Sequence, residues 1–342
     1  MPNDSLICAK NNKKDEFYTQ MPEIQKEMSY YPDKFYGKVV YCNCDDIFES
    51  NFVKFFLINF NRLGLKELIA SGYKTSSNFC QPYALRIKDT SKYIHGNNID
   101  LDLEDIENLL NEKFYDIMFE LDQSCGDFRS EPCVELLKEC DIVVTNPPFS
   151  LFREYVSLLM KSNKKFLIIG NINALTYKDF FPLIKDNKVW IGPSITSGDR
   201  PFCVPHDYEL KASGCGILPN GEKFIRVKGV RWLTNIDHEK RHQMLPINLN
   251  QKYFGNENNY PKYDEYDAIN VNKVSDIPCD YFDVIGVPIT FIDKYCPDQF
   301  EILNCNDFLY DRQRIKNKED MVARPTINGK VIYRRVFIRR RK

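Results

Sequence analysis

The chain has no apolar run of membrane-spanning length. Stretches such as Phe55 to Ile58 are far short of the roughly 20 residues a spanning helix needs. It has no excess of either charge, with 47 Lys and Arg against 48 Asp and Glu, a formal net of −1. Net charge therefore does not announce a nucleic-acid partner, and any basic surface must be local. Met1-Pro2-Asn3-Asp4 offers no basic and apolar leader, which places the expected location in the cytoplasm with no membrane contact. Paired cysteines at zinc-ribbon spacing are lacking too. Of the 12 cysteines, Cys42 and Cys44 form C-x-C and the others, from Cys8 to Cys305, stand singly. His238 and His242 would share a helix face, but no Cys or acidic cluster accompanies them. No metal site is expected, and reduced, mostly buried thiols are the default. Internal repeats and low-complexity linkers are also missing.

What is present centres on Asp141 to Phe149, D-I-V-V-T-N-P-P-F. Ile142, Val143 and Val144 form a short β-branched block, as a buried strand of a parallel sheet requires. Pro147 and Pro148 stop it by removing backbone donors and fixing φ, so Asn146-Pro147-Pro148-Phe149 is a rigid loop at the strand's carboxyl end. Ser150 is a candidate N-cap for an amphipathic helix over Leu151 to Met160. Strand, rigid loop and helix is the setting in which open α/β sheets place ligands.

The loop's chemistry suits an exocyclic amino group. The lone pair of a nucleobase NH2 is delocalised into the ring, which makes it a poor nucleophile. The side-chain carbonyl of Asn146 and the backbone carbonyl of Pro147 can accept hydrogen bonds from such a group and localise the lone pair for attack on a methyl carbon. Both acceptors are held stiffly and hence preorganised. Phe149 can stack on the base; alternatively the loop is a tight turn and Phe149 a core aromatic.

N-P-P-F after a hydrophobic strand is the amino-methyltransferase motif. Further stretches are K-D-E-F-Y-T-Q (Lys14 to Gln20), V-V-Y-C-N-C-D-D (Val39 to Asp46), G-D-F-R-S (Gly126 to Ser130), G-V-R-W-L-T-N (Gly229 to Asn235) and G-V-P-I-T-F-I-D-K-Y (Gly286 to Tyr295). Together they cover nearly the whole chain, which resembles the adenine-specific DNA methyltransferases of the EcoRI modification type. The resemblance implies S-adenosylmethionine as methyl donor, double-stranded DNA as substrate and the palindrome GAATTC with its second adenine as target. It also implies a monomer, and a restriction endonuclease encoded nearby without direct contact. Asn146, Pro147, Pro148 and Phe149 become the expected catalytic residues. Phe17, Tyr18, Asn43, Asp45, Asp46, Asp127 and Phe128 become the expected donor contacts.

In this family setting Phe17-Tyr18 lie against the methionine end of the donor, although they also fit a hydrophobic staple on a helix that Thr19 would cap near Pro22. Lys38 to Asn43 reads as the first strand. A carboxylate at its end can pair with the donor's cationic amino group, and the choice between Asp45 and Asp46 stays open. The glycine-rich loop usual in methyltransferases is missing, with Asn43, Cys44 and Asp45 in its place. Lys66 to Ser71 is the next strand. Glu67 comes too early in it to reach a ribose, so that contact is unassigned. Asp127 matches the acid that approaches the donor's adenine amine, or else it caps the helix around Pro132 to Lys138.

The alternation of strands and helices through Lys165 to Gly170 and Lys188 to Ile191 predicts an α/β, doubly wound, mostly parallel sheet of the Rossmann-like methyltransferase kind. Residues 1–192 are the expected donor-binding catalytic domain and 193–342 a loop- and strand-rich target-recognition region. Its boundary is soft, between 192 and 246, and some of its strands (Gly229 to Leu233) complete the sheet. In that half Ser197 to Arg200 reads as a polar loop, and Pro288 to Phe291 and Lys330 to Ile338 as strands. Arg200, Arg334, Arg335, Arg339 and Arg340 are candidates for phosphate contact, while the terminal basic cluster also suits a charged edge strand. Two other readings stay open. A protein-glutamine methyltransferase would present an amide NH2 to the same loop, usually followed by Tyr rather than Phe149. A DNA-binding relative that has lost catalysis is the second.

Overall fold

The structure, a computed structural model, describes residues 18–44, 46–72, 83–94, 100–111, 117–121, 126–196, 198–204, 210, 214–219, 221–264, 266–305 and 325–342. The chain sorts into two compact units. The first comprises Met1–Ile172 and Ser194–Asp237, the second Asn173–Pro193 and His238–Lys342.

The first unit is built on strands β1 (Val39–Asn43), β2 (Glu67–Ser71), β3 (Tyr83–Ile87), β4 (Met118–Glu120), β5 (Ile142–Thr145) and β6 (Lys165–Asn171). With a later strand, Val230–Thr234, they run in the order β4-β3-β2-β1-β5-β6-(230–234) within an eight-stranded sheet. The inner four, β2, β1, β5 and β6, are mutually parallel. Antiparallel neighbours flank them, β3 beside β2 and 230–234 beside β6. Every residue of β1, β2 and β5 is buried, as a sheet covered on both faces demands, and this explains the unbroken Val/Ile runs.

Helix α1 (Met21–Met28) brings Ile24 and Met28 to the core beside the sheet, and helix α2 (Asn51–Ile58) brings aromatic side chains. In α2, Phe52, Phe55 and Phe56 recur at helical spacing and are all buried, each contributing about 1.5–3 kcal/mol. Phe52 meets Trp232 edge-on at 5.9 Å. Ser50 caps α2, its hydroxyl accepting from Val53 N at 3.5 Å, and Gly64 ends the connection in the left-handed region at φ +60°. Glu27 is buried on α1, where its carboxylate accepts from the Tyr31 hydroxyl at 2.8 Å and from Ser194 N at 2.9 Å.

Further along stand α3 (Leu103–Asn111), α4 (Glu131–Glu139) and α5 (Phe152–Lys161). In the second unit α6 (Phe181–Lys185) follows a 3-10 turn at Ile172–Thr176. That unit also carries β7 (Trp190–Ile191). Back in the first unit, β8 (Asp199–Cys203), β9 (Gly216–Ile217) and β10 (Lys223–Lys228) form a small antiparallel sheet, order β8-β10-β9. They precede β11, the strand Val230–Thr234 named above.

The second unit has a four-stranded sheet of β12 (Ile269–Asn270), β13 (Ile285–Pro288), β14 (Phe300–Cys305) and, after a two-stranded hairpin of β15 (Thr326–Ile327) and β16 (Lys330–Val331), β17 (Arg335–Arg340). The hairpin turns at Asn328-Gly329, both with positive φ, the combination a tight primed turn needs. Asp264 secures it, accepting from Thr326 Oγ1 at 2.6 Å and from the backbone of Asn328 and Gly329.

Several local expectations change. Thr19 does not cap α1, whose N-cap is Gln20; instead its carbonyl accepts from Asn51 Nδ2 at 2.8 Å. Ser150 lies inside a 3-10 turn, Phe149–Leu151, and α5 starts at Phe152, because Leu151 N bonds the Pro148 carbonyl at 3.0 Å. Asp199 and Arg200 belong to β8 rather than a loop. The strand expected at Pro288 to Phe291 ends at Pro288, where a 3-10 turn takes over. Lys330 to Ile338 is two strands, β16 and β17, rather than one.

Candidate active site

β1 sits between β2 and β5, so the chain leaves its carboxyl end toward one side and returns on the other. At such a switch point the connections diverge and leave a crevice beyond the strand ends. The residues there are Asn43 at the end of β1 with Cys44 after it, and Thr145 at the end of β5 with Asn146 and Pro147 after it. The register pairs Tyr41 with Val143, so Asn43 and Thr145 stand side by side. The Thr145 hydroxyl donates to the backbone carbonyl of Asn43, tying the two strand ends together. Asn43 is buried, and its side-chain oxygen accepts from the hydroxyl of Tyr155 on α5 at 2.5 Å.

Asn43, Cys44 and Asp45 replace the glycines expected here. Cys44 nevertheless takes φ +72°, a left-handed conformation that glycine enters freely and other residues rarely. The bend after β1 is thus kept without glycine. Asp45 lies outside the described residues. Asp46 is buried, and its Oδ1 accepts from Phe48 N at 2.9 Å and Glu49 N at 3.4 Å. Its carboxylate holds the turn that leads to Ser50, and burial pushes its pKa up against those bonds.

On the β5 side Asn146 and Pro147 are buried, Pro148 and Phe149 half-buried. Pro148, at φ −56° and ψ 124°, turns the chain out of the strand. The ring of Phe149 meets Phe202 edge-on at 6.4 Å and packs against the first unit's core.

A third cluster follows Gly126, itself at φ +68°. Arg129 grips Asp127 through two side-chain bonds, Nη2 to Oδ2 at 2.7 Å and Nε to Oδ1 at 2.9 Å, and reaches Glu154 on α5 at 2.9 Å. The guanidinium's hydrogen bonds hold the Asp127 pKa below the usual carboxylate range. Asp127 does not cap α4, whose N-cap is Ser130. Phe128 is buried edge-on to Tyr155 at 5.0 Å. Tyr155 thus touches residues from two of the expected donor-binding stretches. A tyrosine on an amphipathic helix reads as core, so no pattern in the sequence singled it out. Arg129, by contrast, was in view inside G-D-F-R-S.

Of the aromatic pair near the start, Phe17 lies outside the described residues. Tyr18 is buried and exchanges two backbone hydrogen bonds with Cys203 at 2.8 and 3.1 Å. Glu67, at the far end of β2, is ion-paired to Arg86 at 3.1 Å. Ser71 occupies the near end and shares a hydrogen bond with Tyr41 at 2.6 Å.

The candidate phosphate-binding arginines differ in setting. Arg200 lies 3.4 Å from Glu23 in a partly buried ion pair. Arg335 is buried, donating to Asn270 Oδ1 at 3.0 Å, Asn272 Oδ1 at 2.8 Å and the Tyr333 carbonyl at 3.1 Å. It is an internal strut of the second unit rather than a surface cation. Arg340 donates to the Cys279 carbonyl at 2.6 Å and lies over Phe282. Arg334 is half-buried and Arg339 exposed. His238 and His242 do not share a face. His238 is buried, with Nε2 3.2 Å from the Ile191 carbonyl, and caps the turn Glu239–His242, while His242 pairs with Asp298.

Residues 5–341 match the family described as adenine-specific methyltransferase EcoRI. The chain belongs to this family. It is similar to the type II methyltransferase M.EcoRI of Escherichia coli, 46% identical over 99% of this chain and 97% of that one. It is also similar to type II methyltransferases of two mycoplasmas. M.MgeORF184P of Mycoplasma genitalium is 36% identical over 98% of both chains, and M.MpnI of Mycoplasma pneumoniae 36% over 98% of this chain and 97% of its own. The chain is therefore an adenine-specific methyltransferase with a Rossmann-like fold. In this enzyme the N-P-P-F loop stands at the switch point of the sheet.

Proposed function

We propose that the enzyme is an S-adenosylmethionine-dependent DNA adenine-N6 methyltransferase acting on a flipped adenine in GAATTC. It would serve as the modification half of a restriction system or as a free-standing methylase. The observation that carries this reading is the bond from Thr145, the residue before Asn146-Pro147, to Asn43 across the switch point. An acceptor pair for an exocyclic amine thereby stands beside a polar, glycine-free turn suited to a charged small molecule.

The residues present fit such a donor. Asn43 brings a buried amide, Cys44 the left-handed bend, and Asp127 a carboxylate kept ionised by Arg129. S-adenosylmethionine, when bound, supplies a methyl group already activated on a sulfonium. The chain's part is orientation and polarisation. Asn146 Oδ1 and the Pro147 carbonyl accept the two N6 hydrogens and draw the nitrogen toward tetrahedral geometry. Phe149 stacks on the adenine face. No strong base is needed, because the proton becomes acidic only once the methyl group is in place.

Flipping the adenine costs a few kcal/mol of stacking and pairing. Phosphate contacts from exposed cations such as Arg339 would offset it. The first unit carries the donor and catalytic residues, and in our reading the second carries target recognition. The palindrome lets a monomer modify both strands in turn. Residence in the cytoplasm agrees with the DNA substrate, and among the described residues no helix is long and apolar enough to cross a membrane.

The test is to incubate the protein with tritiated S-adenosylmethionine and duplexes that carry GAATTC or a single-base variant of it. Label recovered as N6-methyladenine from the GAATTC duplex alone supports the reading. Label in protein, or in both duplexes equally, sinks it.

A further inference from the structure

Asn43 stands at the point where β1 gives way to the left-handed turn, and it is only 4% exposed. Two donors converge on its side-chain oxygen. The Tyr155 hydroxyl lies at 2.5 Å and the Cys44 thiol at 3.6 Å. An amide oxygen has two lone pairs, and both are thereby occupied. Burial drives the Tyr155 pKa far above its ordinary value, so the hydroxyl keeps its proton and acts as the donor. The carboxamide can therefore present only its NH2 to a ligand, and among the described residues nothing accepts from that NH2. Its backbone is held as well, through the Thr145 hydroxyl on the Asn43 carbonyl. The ring of Tyr155 also fixes Phe128, edge-on at 5.0 Å and 81°.

We propose that Tyr155 is a positioning residue for the methyl donor. It orients the Asn43 amide so that its NH2 donates to an oxygen of S-adenosylmethionine, and it seats Phe128 in the same pocket. The inference rests on the proposed use of that donor. Its chemistry is distinct, because a buried NH2 selects a ligand that brings an acceptor oxygen, and an anionic one would bind it most strongly. The donor has two kinds of such oxygen, the amino-acid carboxylate and the ribose hydroxyls.

Calorimetric binding of the product S-adenosylhomocysteine to the full-length enzyme tests it without turnover. If the wild-type protein does not bind this product at all, the donor assignment itself fails, and the role of Tyr155 falls with it. Given wild-type binding, Tyr155→Phe is expected to raise the Kd about tenfold and the KM for S-adenosylmethionine in step, leaving the KM for DNA unchanged. Asn43→Ala should lose a similar factor. Because the two residues act through one contact, the double variant should be little worse than Asn43→Ala alone. Asn43→Asp keeps the shape but replaces NH2 with an acceptor, so it should weaken binding as much and carries the test if Tyr155→Phe does not fold. 5′-Methylthioadenosine, which lacks the amino-acid portion, separates the two oxygens. Tyr155→Phe weakening S-adenosylhomocysteine alone places the contact on the carboxylate, and weakening of both ligands places it on the ribose. A folded Tyr155→Phe or Asn43→Asp whose S-adenosylhomocysteine affinity stays within twofold of wild type overturns the proposal, as do losses that add fully in the double variant.

Discussion

Arg129 holds both carboxylate oxygens of Asp127, two residues earlier in the chain, and with its remaining arm reaches Glu154 on α5. The carboxylate expected to meet the donor's adenine is therefore aimed by a guanidinium before any ligand arrives. Oδ1 also accepts from the Arg129 backbone N at 2.8 Å, so Oδ2 is the oxygen with a lone pair left to offer.

That pairing predicts an acid-side effect. The Asp127 pKa is depressed, chiefly by hydrogen bonds from Arg129. The stabilisation is thus fully present above the unfolded carboxylate value of about 3.9 and disappears as pH falls through the lower folded value. In Arg129→Ala the Asp127 pKa returns toward the ordinary range. The difference in Tm between wild type and variant should be largest near neutrality and shrink toward zero in acid. The lower pH limit of S-adenosylhomocysteine binding should move up in the variant. A pH series of thermal melts and titrations checks both.

Asn146→Ala removes one of the two acceptors proposed for the amine. Loss of a single preorganised group of this kind costs about 10² to 10³ in kcat. Single-turnover methylation should fall by that range while S-adenosylhomocysteine binding stays within about twofold, since Asn146 is assigned to the base and not to the donor. Turnover at the wild-type rate would remove the loop from the mechanism.

Arg335 and Arg339 should part company. Arg335→Ala leaves the side-chain oxygens of Asn270 and Asn272 without their buried charged donor, at a cost on the order of 3 kcal/mol. It should lower the denaturant midpoint. Arg339 is exposed on the same strand, so Arg339→Ala should leave the midpoint almost unmoved. Its effect should appear as weaker DNA binding with a salt slope smaller by about one. A gel-shift series in salt beside urea melts separates the two outcomes.

Glu27 is a buried carboxylate with two donors to serve, the Tyr31 hydroxyl and the backbone of Ser194. Glu27→Ala orphans the Ser194 N–H in a dry setting, which is expected to cost about 1–3 kcal/mol, and takes from the Tyr31 hydroxyl one of its partners. Glu27→Gln retains one acceptor oxygen and should lose less. Chemical denaturation of the two variants measures the difference, and equal losses would mean that the contact is not what Glu27 contributes.

The parts of this enzyme that were legible in the sequence are those whose local chemistry leaves little choice. The block Ile142 to Val144 ended by Pro147 and Pro148 could only be a buried strand stopped short, and it is β5 and its loop. Lys38 to Asn43 reads as the first strand, and Val39–Asn43 is β1. Other assignments failed where tertiary contacts outweigh local preference. Arg335 stands in a basic tail that reads as solvated, yet a pair of asparagines more than sixty residues earlier draws it inside. Pro288 to Phe291 is apolar and β-branched, but the sheet ends at Pro288 and the remainder coils into a 3-10 turn. Tyr155 gave no signal because its importance lies in what it faces, 112 residues away at Asn43.

Cys44 holds a backbone angle that most enzymes of this chemistry would delegate to glycine. Searches that look for a run of small letters after the first strand will pass over chains like this one, although a left-handed residue still ends that strand. A wider net would be drawn from torsion: a single left-handed residue where the first strand hands over to its crossover, whatever side chain happens to sit there.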